Sequence, residues 1–290
     1  MAVSTFKRGL RLPTRKTATE GKPVELIPPP KQVVIPINQH FGAPNQSLVQ
    51  VGDRVKRGQK IADAVSPGLL TVPVHASIAG VVKKIENRTQ SNNTEGPCIV
   101  IEATPSQAGP PEADGEADTE FLPPLDPFTC TREAALERIR DAGIVGMGGA
   151  GFPAHVKLSP PPNKPIDLII ADGAECEPYL TTDEAALNEK PHLVVMGLAI
   201  VMRITAVKRA IIGMEDNKAP LIPMIEREIR VGAYPGDIRV GLCKTRYPQG
   251  GEKMLITALT GREVPSGGLP MDAGCIVQNV GTLAAIAEAF

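Results

Sequence analysis

Three short segments hold the residue types that recognition of a phosphate, a ribose or a flat ring requires. Gly146-Met147-Gly148-Gly149-Ala150-Gly151 packs four glycines into six residues, which sacrifices backbone entropy for conformational freedom. Such a loop lets main-chain N–H groups and the opening of a helix approach a phosphate or ring closely. Pro153 suits the first turn of that helix, and Lys157 is placed to supply a cation. The bland alternative is a Gly-rich turn beside a surface lysine. The second segment, Asp172-Gly173-Ala174-Glu175-Cys176-Glu177-Pro178, sets three carboxylates directly after the apolar run Ile166 to Ala171. Open α/β sheets bind ligands at the carboxyl ends of their strands, so these are candidates for ribose hydroxyls or ring nitrogens. A solvated loop is the commoner fate of a charge cluster. The third, Tyr247-Pro248-Gln249-Gly250-Gly251-Glu252-Lys253, again follows an expected strand and opens an expected helix.

Taken alone, Gly146 to Gly151 fits GxGxxG, and Asp172 follows at about the 20-residue spacing of a dinucleotide fingerprint. The context disagrees: the glycines follow a helix ending at Gly143 and lead into Pro153 and Pro160-Pro161-Pro162, where a Rossmann unit needs a strand before and a full crossover helix after. Cys176 lies between two glutamates, whose charge disfavours a thiolate, and reads as packing. His40 and His75 stand at turn-like positions in a β-rich stretch and read as structural residues.

Lys and Arg number 31 against 32 Asp and Glu, a net charge of -1, which removes the positive field that non-specific nucleic-acid binding relies on. The five cysteines form no CxxC pair, so a disulfide framework or a zinc site is not expected. The longest apolar run, Leu193 to Met202, is short of the ~20 residues that span a bilayer. Any membrane association is therefore expected through partners.

These segments need elements to hold them. Residues 1–30 are basic, then Pro-rich, and read as an arm that lies on another surface or is disordered, with no chemistry assigned. Residues 31–104 alternate β-runs with turns: Val33 to Ile35, Leu48 to Val51, Lys60 to Ala62, Gly80 to Ile85 and Cys98 to Ile101. Within them, Val51 to Ile61 and Val74 to Val82 resemble the halves of a biotinyl/lipoyl barrel-sandwich hybrid, but Ile61 to Pro67 offers no lysine for a carried cofactor. Residues 105–127 are acidic and rich in Pro, Gly and Ala, a linker composition. Residues 128–290 alternate helix and strand, an α/β layer pattern. Strands are expected at Ile166 to Ala171, Ala206 to Gly213 and Ile238 to Cys243. Helices are expected from Thr131 as N-cap to Gly143, at Thr182 to Glu189, Leu193 to Arg203 and Ala219 to Val231, and from Thr282 to the last residue.

Together the segments resemble a known family. Gly148-Gly149-Ala150-Gly151-Phe152-Pro153 with Lys157 looks like the GRGGAGFPTGxKW signature of the NADH- and flavin-binding subunit of respiratory complex I. Asp172 to Pro178 resembles its NADEGEP, Gly251-Glu252 its GEE, and Val277 to Leu283 its VNNVETL. The β-module with Pro36-Ile37-Asn38-Gln39-His40, and Glu175-Cys176-Glu177-Pro178-Tyr179, resemble one branch more closely: the RnfC component of the Rnf/Rsx ion-translocating electron-transport complex.

That resemblance implies an α/β fold in which a small barrel-sandwich-hybrid module precedes a domain binding flavin mononucleotide (FMN) and NADH. Gly148, Gly149, Gly151 and Phe152 would line the flavin, with Lys157 near its phosphate or ring. Asp172, Glu175 and Glu177 match acidic or polar positions, Gly251, Glu252, Gln278 and Asn279 further flavin neighbours, and Thr282 a phosphate contact. Met147, Ala174 and Lys253 depart from the pattern. No catalytic side chain and no metal ligand is expected, because the flavin carries hydride chemistry itself. Two 4Fe-4S clusters are implied on a ferredoxin-like domain which, with an SLBB domain, is expected beyond residue 290, so the fragment alone should not complete the reaction. The implied role is electron input between NADH and iron–sulfur clusters or ferredoxin. The implied partners are the membrane and ferredoxin-like subunits of the complex, and the implied place is the cytoplasmic face of the bacterial inner membrane, held there by those partners. The rival reading is a non-catalytic scaffold resembling the A subunit of the sodium-translocating quinone reductase.

Overall fold

Apolar β-runs between Gln32 and Ala103 pair into two antiparallel sheets in the computed structural model, which describes residues 2–66, 68–90, 93–104 and 118–290. After β1 (Val3–Ser4) come β2 (Gln32–Pro36), β3 (Asn45–Ser47), β4 (Arg54–Val55), β5 (Lys60–Ala64), β6 (Val74–His75), β7 (Gly80–Thr89) and β8 (Glu95–Ala103). They order as β2-β8-β7-β4 and β3-β5-β6, and the core between them includes Ile35, Val55, Ile61, Val82, Ile99 and Ile101. The strand expected at Leu48 to Val51 lies one turn earlier, in β3. The buried Asn45 amide fixes it there by donating to Ile37 O at 3.1 Å and Val72 O at 2.9 Å, while Leu48 and Val51 stay exposed. In β5, Asp63 takes Arg140 Nη2 at 2.8 Å. Lys60 pairs with Asp141 at 3.2 Å, so this edge of the module docks on the following domain. Pro67 and residues 105–117, most of the expected linker, lie outside the described residues.

The second domain runs α1 (Arg132–Asp141), α2 (Ala154–Lys157), β9 (Leu168–Gly173), α3 (Thr182–Glu189), α4 (Pro191–Thr205), β10 (Arg209–Glu215), α5 (Ile222–Gly232), β11 (Asp237–Cys243), α6 (Glu252–Thr260), β12 (Cys275–Asn279) and α7 (Val280–Glu288). Its five-stranded sheet has the order β1-β11-β10-β9-β12, and every pair is parallel. Ile169 and Ala171 face a core shared with α1, α4, α5 and α7, whereas Leu168 and Ile170 face α6. Burial on both sides explains why these strands read as unbroken apolar runs. Two strands were not anticipated: β12, whose apolar run is only Cys275 to Val277, and β1, through which the N-terminal arm joins the sheet. Thr131 caps α1 as expected, accepting from Ala134 N at 3.1 Å.

No single described helix is long and apolar enough to cross a membrane. The apolar helix α4 is an interior element packed on α7, and the backbones meet where a Cβ on Gly197 would stand 1.9 Å from Leu283 O. Gly197→Ala should therefore lower stability by about 1–3 kcal/mol, read as an earlier urea midpoint at unchanged slope. A midpoint equal to the parent's would show that the two helices separate freely.

Candidate functional site

Parallel strands β9, β10, β11 and β12 all end at one edge, and the register sets Asn279 beside Asp172. Asn279 caps α7: its Oδ1 accepts from Gly281 N at 2.9 Å and Thr282 N at 3.3 Å. Its Nδ2 donates to both Asp183 oxygens, at 3.0 and 2.9 Å. The Gly-rich loop rests on the same helix start. Met147 N donates to the buried Thr282 hydroxyl at 3.0 Å, and a Cβ on Gly148 would press on Asn279 Nδ2 at 3.0 Å. From the β-module, Phe41 N donates to Gly151 O at 2.9 Å, and the Phe41 and Phe152 ring centroids lie 5.9 Å apart. Met147 to Ala150 are exposed, and nothing lies within 4 Å of a Cβ built on Gly149. The helix expected after Pro153 lasts a single turn, so the loop's amides, more than a helix dipole, are what this segment offers a ligand. Lys157 Nζ holds Glu252 Oε1 at 2.5 Å, in the first turn of α6, with Gly251 as its N-cap.

The acidic turn divides its carboxylates by role. Asp172 Oδ1 accepts from Ala174 N at 3.0 Å, and burial, reinforced by Asp183 and Glu252, pushes its pKa well above the usual carboxylate range. Burial lifts Asp183 to about 6, with the Asn279 hydrogen bond opposing it. Glu175, only 3% exposed, is enclosed by its own protein. Its Oε1 accepts from Thr182 Oγ1 at 3.1 Å and Asp183 N at 3.0 Å, and its Oε2 lies 3.3 Å from Lys218 Nζ and 3.8 Å from Lys16 Nζ. Glu177 is exposed. Burial pushes the Cys176 thiol up to about 12, which keeps it protonated. Gln278 is buried with its Nε2 unpartnered.

The structure thus brings Gly148, Asp172, Asn279 and Thr282 together, with Lys157 and Glu252 alongside. Gly149 and Glu177 stand at the surface, and Glu175 and Gln278 lie inside. Two hollows lie elsewhere. One, lined by Arg209, Asp237 and Arg262, is at the opposite edge of the sheet. The other, lined by His75, Phe121, Arg138 and Phe290, is between the domains. Sequence reasoning missed Asp183, Lys218 and Lys16; Asp183 alone carried a signal, as an acidic residue in the first turn of a helix.

Glu215, at the end of β10, is fully buried; its Oε1 accepts from Arg246 N at 3.2 Å, and its Oε2 has no partner. Burial raises its pKa to about 7. A carboxyl raised by folding holds its proton more tightly in the native state, so its stabilising contribution is present at acid pH and is lost as pH rises through about 7. Glu215→Gln should melt higher than the parent at pH 8, with the gap closing towards pH 4.5. A gap independent of pH would mean that Glu215 is ionised throughout.

The Nuo51 FMN-binding domain profile matches residues 139–288. The chain belongs to that family. Ahead of it, the RnfC barrel sandwich hybrid domain matches residues 4–106, a stretch that takes in most of the arm. The fold is the α/β architecture expected, a barrel-sandwich-hybrid module followed by an FMN-binding-type domain. The C subunit of the proton-translocating ferredoxin:NAD(+) oxidoreductase complex of Clostridium ljungdahlii is 43% identical over 99% of this chain and 60% of its own length. Its counterpart in the Na(+)-translocating complex of Acetobacterium woodii is 42% identical over 99% of this chain and 62% of its own length. The chain therefore spans under two thirds of these relatives. Among solved structures, an NAD+-reducing NiFe-hydrogenase in the H2-reduced state aligns with 55% of this chain and 30% of its own, at 27% identity and a TM-score of 0.50.

Proposed function

We propose that this chain is the electron-input part of a membrane-associated, ion-translocating ferredoxin:NAD+ oxidoreductase, exchanging electrons with NADH through an FMN seated on the Gly146–Gly151 loop. One observation carries the reading: the glycine loop is pinned to the start of α7 by Met147 N on Thr282 Oγ1 and by Gly148 against Asn279, beside the acidic strand end. The residues fit the group. Gly148 to Ala150 present exposed main chain, Gly149 leaves its surroundings open, and Lys157 supplies a cation at the rim.

The flavin, when bound, supplies the conversion between two-electron and one-electron transfer. The chain's residues hold and orient. Amides of the loop donate to phosphate or ring, Lys157 balances phosphate charge while Glu252 keeps it in place, and Asn279 fixes the loop relative to Asp172 and Asp183. Glu177, the exposed carboxylate of the acidic turn, suits a ribose hydroxyl. The reading places the 4Fe-4S clusters on ligands other than this chain's scattered cysteines, and its onward partners are the ferredoxin-like and membrane subunits of the complex. It sets the chain peripherally at the cytoplasmic face of the inner membrane.

Titration of the purified chain with FMN should develop the absorbance of bound flavin, and anaerobic NADH should bleach it. A folded chain that takes up no flavin would instead be a scaffold of the kind found in the sodium-translocating quinone reductase. Because the fold leaves Gly149 free, Gly149→Val should melt like the parent yet bind FMN at least about tenfold more weakly, a loss of ~1.4 kcal/mol. Equal affinity would remove the loop from the site.

A further inference from the structure

Lysine is rarely buried, because its ammonium gives up hydration that only close oxygens replace. Lys16 is nonetheless 2% exposed. Its Nζ donates to Glu175 O at 2.7 Å and Leu180 O at 2.5 Å, and pairs with Glu175 Oε2 at 3.8 Å. All three partners belong to the acidic turn. Two residues earlier, Thr14 O accepts from Tyr179 N at 2.9 Å. Tyr179 has φ 72°, a conformation in which a bulky residue is strained and must be held by its surroundings. The arm also reaches the third site segment: Leu10 and Tyr247 exchange N–H···O bonds, each of 2.8 Å. From the other side, Lys218 and Asp183 N hold the same Glu175 carboxylate.

We propose that Lys16 is a positioning residue, and that the N-terminal arm is a strap fixing the acidic turn Asp172 to Leu180 against the Tyr247 to Glu252 turn. By holding Glu175 and Leu180, Lys16 sets where Asp172, Asp183 and Glu177 stand for the ribose hydroxyls of a bound dinucleotide. The strap rests on geometry alone; its effect on the dinucleotide rests on the function proposed above.

Lys16→Met and Lys16→Arg would be compared with the parent chain, with exposed Arg11→Met as an arm control. In the flavin-free chain, amide exchange over Glu175 to Leu180 should quicken at least tenfold in Lys16→Met, and less in Lys16→Arg, with exchange in β7 and β8 unchanged. In the FMN-loaded chain, with ferricyanide supplied as the one-electron acceptor that reoxidises the flavin, Lys16→Met should raise the KM for NADH several-fold with kcat little altered, and Lys16→Arg should recover part of the loss. If Lys16→Met fails to fold, Lys16→Met with Glu175→Gln removes the charge that Lys16 balances, and faster exchange than in Glu175→Gln alone is expected of it. Exchange over Glu175 to Leu180 that matches the parent's would overturn the strap. Faster exchange with an unchanged KM would overturn the positioning role. A parent that binds no flavin would count against the proposed function while the exchange comparison still decided the strap.

Discussion

The side-chain amide of Asn279 joins the parts of the site that lie furthest apart in the chain. Its carbonyl caps the start of α7 by accepting from two N–H groups, and its NH2 reaches the Asp183 carboxylate. The hydroxyl of Thr282, whose own N–H that carbonyl caps, then holds the glycine loop. An asparagine suits this position because its two ends have opposite hydrogen-bonding character, and a carboxylate could not donate to Asp183. The parallel sheet makes the arrangement possible by bringing Asp172 and Asn279 into register at one edge.

Behind that edge, Glu175 lies between two buried lysines, and Lys218 also lies 3.3 Å from Glu184. Leaving any one of these charges uncompensated costs about 3–5 kcal/mol, so they act as a unit. A network of this kind gives rigidity to the turn that carries it, which the proposed ribose contact needs more than the net stability that apolar packing would bring. Glu175, read from the sequence as a contact for the ligand, sits in the structure among the groups that hold the turn.

Much of the scaffold could be read from the residue pattern because burial on both faces leaves long apolar runs: the strand expected at Ile238 to Cys243 is β11 within one residue, and α3 has the expected bounds. β12 escaped because Gln278 and Asn279 break its apolar run after only three residues. The segments that the fold gathers at the strand ends were legible because each is contiguous. Lys16 was not, since 159 residues separate it from Glu175 and nothing distinguishes it from its basic neighbours until the chain has folded. Leu48 and Val51 show the opposite error, apolar residues left at the surface because the Asn45 hydrogen bonds settle the strand elsewhere.

Flavin binding of this kind requires distant segments to form one surface, and amide exchange with and without FMN tests that directly. Saturating FMN should slow exchange together in Gly146 to Phe152, Asp172 to Leu180 and Gln278 to Thr282, leaving β7 and β8 as they were. Protection confined to the hollow lined by Phe121, Arg138 and Phe290, or none in the glycine loop, would contradict it.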